Sequence, residues 1–99
     1  MFRFQIIVNG KPVCTAGVKK FGVLTAIFNW VGRRRRKADV GYKGNIIEES
    51  WLSVGGIDDS LEGRPHVRWL TRKLKPGDEI TVRILGAGPA DPPKKLEYH

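Results

Sequence analysis

Ninety-nine residues fit one domain with a small core, and 40% apolar with 28% charged residues is the composition of a globular chain, not a disordered one. The single cysteine, Cys14, excludes an intramolecular disulfide and any multi-cysteine metal site, and no run of about 18 consecutive apolar residues is present to span a membrane as a helix. A net charge of +8 and a pI of about 10.1 point to polyanionic partners such as nucleic acid or an acidic protein surface.

The opening stretch Met1–Gln5 lacks the basic-then-apolar layout of a signal peptide. With the lone cysteine, this predicts a cytoplasmic protein without membrane insertion. Phe4, Ile6 and Val8 alternate with Arg3 and Gln5, and Asn9-Gly10 separates them from a second β-prone run beginning at Lys11. A type I′ turn needs positive φ at both central residues, which Asn-Gly tolerates, so residues 4–8 and 12–16 are predicted to pair as a hairpin. A two-residue loop sets Val8 opposite Lys11, Ile6 opposite Val13 and Phe4 opposite Thr15. The expected core face is Phe4, Ile6, Val8 and Val13.

Residues 22–33 read two ways. Val23, Leu24, Ile27, Phe28 and Val31 fit a helical stripe, whereas Leu24, Ala26, Phe28 and Trp30 form an unbroken strand face. The β-branched and aromatic content, without a capping residue ahead of it, favours the strand. Residues 34–45 read as a polar loop and Ile46–Val54 as a strand. Gly55–Gly63 reads as a turn-rich connection and His66–Leu70 as a short strand. Lys75-Pro76-Gly77-Asp78 places Pro and Gly where a type II turn uses them. Ile80, Val82 and Ile84 alternate with Thr81 and Arg83, predicting a strand buried on one face. The Gly-, Pro- and Lys-containing stretch 87–99 reads as a flexible tail behind a single domain of residues 1–86. The expected fold is mainly β, a small antiparallel meander of five to six strands forming a barrel or sandwich. If 22–33 were helical, the class would be α+β.

Catalytic chemistry finds little to use. Cys14 sits between Val13 and Thr15 on a hairpin strand, His66 is the one internal histidine, and Asp58 and Asp59 would point to opposite faces of a strand. No metal-ligand spacing or phosphate-loop motif occurs, so neither an enzyme nor a cofactor is expected. The most conspicuous feature is Arg33-Arg34-Arg35-Arg36-Lys37. Five adjacent cations repel one another and stay solvated unless a partner neutralises them, and Arg matches phosphate oxygens with a planar fork. In a meander, the turn at residues 9–10, the loop 34–45 and the turn 71–78 share one end. This predicts a basic pole of Arg33, Arg34, Arg35, Arg36, Lys37, Lys43, Arg72, Lys73 and Lys75, with Tyr42 and Trp69 as candidates for stacking on bases. The expected function is a small non-enzymatic binding module that engages nucleic acid or another polyanion. The alternative is an inhibitor or adaptor that docks on an acidic protein surface.

Overall fold

A computed structural model describes residues 1–34 and 46–98, and within them the chain is all antiparallel β, with no helix. The strands are β1 (Arg3–Val8), β2 (Lys11–Ala16), β3 (Gly22–Arg34), β4 (Ile46–Asp58), β5 (His66–Lys73), β6 (Ile80–Leu85) and β7 (Lys95–Glu97). They form a three-stranded sheet, β2-β1-β6, and a four-stranded sheet, β3-β4-β5-β7. The meander is β3-β4-β5; β6 leaves it and pairs with β1. Ile6, Val8, Cys14 and Ala16 of the first sheet meet Leu52, Val54, Val67 and Trp69 of the second in one buried core. No pairing joins the two sheets among the described residues, so they stack as layers and no closed barrel forms.

The hairpin forms as the Asn-Gly chemistry dictates, with φ of 51° at Asn9 and 81° at Gly10. Its register departs from the simple expectation. Val8 faces Lys11 and Ile7 faces Pro12, but Ile6 then faces Cys14 and Phe4 faces Ala16. Val13 is the extra residue of a bulge. The bulge falls beside Pro12, which has no N–H to give the ladder. As a result Cys14 and Ala16 are buried and Val13 only half-buried.

Residues 22–33 are strand, and β3 pairs with β4 over thirteen unbroken positions, from Gly22–Asp58 to Arg34–Ile46. The first four residues of the expected connection Gly55–Gly63 are instead the end of β4. Gly55 and Gly56 lie mid-sheet because neighbouring strands approach too closely for a side chain. A Cβ on Gly56 would sit 1.7 Å from the Val23 carbonyl oxygen, and one on Gly55 2.5 Å from that of Val67.

The C-terminal segment is docked rather than loose. The Asp91 backbone N–H donates to the Thr15 carbonyl at 2.8 Å, and the Asp91 carboxylate accepts from the Thr15 N–H at 2.8 Å. Lys94 N–H donates to the Arg68 carbonyl at 2.8 Å, and β7 pairs with β5. β6 is less buried than its alternation predicts: Ile80 and Val82 are half-buried, but Ile84 is exposed.

Candidate functional site

One end of the molecule is assembled from two turns and a long hairpin. The Asn9 amide Nδ2 donates to Asp78 Oδ1 at 3.1 Å, while its Oδ1 accepts from the Glu79 N–H at 2.8 Å. Asn9 N–H in turn donates to the Glu79 carbonyl at 2.8 Å. Asp78 closes its own turn by accepting from the Lys75 N–H at 2.9 Å. That bond and the Asn9 amide hold the Asp78 carboxyl below the ordinary carboxylate range. Leu74 N–H donates to the Ser50 carbonyl at 2.7 Å, tying the turn to β4. The turns at 9–10 and 75–78 are therefore clamped together, with Lys11 and Lys75 beside them.

From this base the β3–β4 pairing continues past β5, and Ile47 within the extension is buried, at 1% exposed. The last pair shared with β5 is Trp51–Lys73, and five further β3–β4 pairs, Trp30–Ser50 to Arg34–Ile46, continue past it. At about 3.4 Å per residue the ribbon extends roughly 17 Å. Arg33 and Arg34 sit at its far end, and Arg72 and Lys73 lie beside its root. Strand alternation sends neighbours to opposite faces. Arg34 and Arg72 share the face of Phe28 and Trp30, whereas Arg33 and Lys73 share the face of Asn29 and Trp51. The cations thus straddle the ribbon. Glu48 and Glu49, opposite Gly32 and Val31, add negative charge to it that the loop-based reading missed. Counting antiparallel pairs back from the loop would have found them. Arg35, Arg36, Lys37, Tyr42 and Lys43 lie outside the described residues.

Of the two aromatics expected to stack, Tyr42 and Trp69, the second is not at the surface. Trp69 is 3% exposed, and its indole N–H donates to the Asp91 carbonyl at 2.7 Å. Its neighbours Arg68 and the 71–75 cations suggested the surface, but the docked C-terminal segment covers it. The exposed tryptophan of this end is Trp30, at 65%, whose ring lies over Gly32. Its sequence signal was its place three residues before the Arg run. A shallow cleft between Trp30, Glu48, Leu74, Pro76 and Ile80 opens at its foot.

Elsewhere the catalytic candidates are kept apart. Cys14 is buried in the core, where desolvation, with Asp91 nearby, pushes its thiol above the ordinary value. His66 is exposed on the outer face of the second sheet, over a hollow bordered by Thr25, Ser53 and Arg68. Asp58 is buried and accepts from the Ser60 N–H at 3.0 Å, while Asp59 pairs with Arg64. Among the described residues no cluster of His, Cys, Asp and Glu is placed to hold a metal ion, and no helix is long and apolar enough to cross a membrane. No protein-family model matches the chain, and neither a curated protein nor a solved structure matches it.

Proposed function

We propose that the protein is a non-enzymatic module that binds nucleic acid through its basic end, by sequence-independent contact with the phosphate backbone. The observation that carries this reading is the cluster of exposed cations at one end: Arg34 at the ribbon tip and Arg72, Lys73 and Lys75 at its root, on a base held by the Asn9–Asp78–Glu79 clamp, with Arg33 half-buried beside them. Exposed cations on both faces of this end, Arg34 and Arg72 on one and Lys73 on the other, suit a partner that wraps around it, as a flexible phosphate chain does. A flat acidic protein surface reaches only one face. The run Arg35–Lys37 continues the same charge. Trp30, next to the Arg34–Arg72 face, offers a stacking surface for an unpaired base, worth roughly 1–3 kcal/mol per base.

The test is a salt titration of binding to random-sequence single-stranded RNA and duplex DNA. With about six phosphates neutralised, log K falls against log salt with a slope near −5 for the duplex. Replacing Arg34 and Arg72 by Ala lowers the slope by about two units and leaves the thermal midpoint nearly unchanged, since exposed charges matter within about 0.5 kcal/mol. Absence of binding to either nucleic acid at low salt would sink the reading and leave an acidic protein surface as the partner to seek.

A further inference from the structure

The four sheet edges of the molecule are not alike. The β2 edge carries Lys11, Pro12 and a bulge. The β7 edge is three residues long with Lys95 at its start, and the six-residue β6 edge has Arg83 in its middle. Charge, proline, bulges and brevity are the usual means by which an edge is kept from pairing. β3 has none of them over Gly22–Gly32: it is thirteen residues long, unbulged against β4, and uncharged until Arg33. Among the described residues nothing pairs with its other edge. It is also apolar on both faces, with Phe28 53% and Trp30 65% exposed on one and Val23 51%, Ile27 49% and Val31 42% on the other.

We infer that the open edge of β3 is a self-association surface, and that two copies pair β3 to β3, antiparallel about Phe28, into one continuous eight-stranded sheet. The sequence of the strand selects both orientation and register. Parallel pairing would stack Arg33 and Arg34 of one copy on those of the other. Antiparallel pairing centred on Phe28 sends them to opposite ends, each beside Gly22 of the partner. Across Gly22, on β4, lies Asp58, buried and bonded to Ser60, and Asp59, paired with Arg64, follows it, so no run of cations awaits the arginines there. This register uses all thirteen positions, because 28 is the midpoint of 22–34. It also alternates large with small: Trp30 meets Ala26, Leu24 meets Gly32, and Phe28 meets Phe28. Lys19 and Lys20 precede the strand and stay outside the pairing. The contact is made by backbone edges, so the side chains of Arg33 and Arg34 remain on the sheet faces, and the inference stands independently of nucleic-acid binding.

Sedimentation equilibrium decides it. The wild-type protein is expected at twice its 11.1 kDa chain mass in the tens of micromolar. Phe28→Lys and Phe28→Glu, each placing like charges across the dyad, should weaken the dimer by roughly 100-fold or more. Mixing the two variants should restore it, because Lys then faces Glu. Ile84→Lys, an exposed site on β6, should leave the dimer intact. Far-UV circular dichroism verifies folding, and the pair Ile27→Lys and Ile27→Glu replaces the Phe28 pair if either Phe28 variant does not fold. A monomeric wild type, a folded Phe28→Lys protein that still dimerises, or a mixture that stays monomeric overturns the inference.

Discussion

Asp78 does more than its half-buried position in a turn suggests. Its carboxylate takes one hydrogen bond from the Lys75 N–H and another from the Asn9 amide, and so joins two turns from distant parts of the chain. Those donors, with Lys75 and Arg72 nearby, lower its pKa below the ordinary 3.8. A carboxyl whose folded pKa is depressed adds stability above its unfolded pKa and loses it as pH falls through the folded one. Asp78→Asn should therefore melt below the wild type at neutral pH, and the gap should close as pH drops below about 3.8. Thermal melts across that range check it; a gap independent of pH would show that the carboxylate charge is not what the clamp uses. Cys14 illustrates the opposite environment, where burial in the core raises the thiol above its ordinary value.

At the scale of the element, glycine serves β-structure here in two different ways. Gly10 has open space around its α-carbon and is needed for its φ of 81°, whereas Gly56 is needed because the Val23 carbonyl occupies the place of a Cβ. Gly10→Ala should cost about 1–2 kcal/mol, the penalty of a left-handed L-residue. Gly56→Ala forces two strands of the larger sheet apart and should cost about 3 kcal/mol. Urea unfolding of both variants tests the order. If Gly10→Ala proved the more damaging, the close β3–β4 approach at Gly56 would not be the constraint it is taken to be. The same close pairing keeps β3 regular over its full length, and this regularity leaves its outer edge so open.

The molecule as a whole depends on its last residues. The 91–97 segment supplies the acceptor for the Trp69 indole, both partners of the Thr15 backbone and the outer strand of the larger sheet. Ending the chain at Gly88 removes four such bonds at Asp91 and Lys94 besides the β5–β7 ladder, and uncovers Trp69. At about 1 kcal/mol for each bond, the loss from those four is roughly 4 kcal/mol, enough to endanger a domain this small. Chemical denaturation gives the loss, and a red-shifted tryptophan emission reports the uncovering of Trp69. An unchanged midpoint would return the segment to the status of a tail. Away from that segment, exposed cations collect at Arg34, Arg72, Lys73 and Lys75.

Local chemistry was legible in the residues themselves. Asn9-Gly10, Pro76-Gly77 and the alternation at Ile80–Ile84 each act over a few neighbouring residues, and strand, turn and fold class followed from them. The density of charge in the Arg run was plain for the same reason, since repulsion between adjacent cations needs no tertiary context, but the half-burial of Arg33 was not. Quantities that depend on a second strand were not legible. The bulge at Val13 changed which hairpin residues are buried, the closeness of β3 and β5 to β4 turned Gly55-Gly56 from a turn into mid-strand, and the pairing of β6 with β1 replaced a simple meander by two stacked sheets. Trp69 was covered and Trp30 left exposed because a segment more than twenty residues further along the chain folds back over one and not the other. A periodic pattern states that a strand has two faces. Only the position of the other strands decides which face meets the core, which edge stays open, and which charges end side by side.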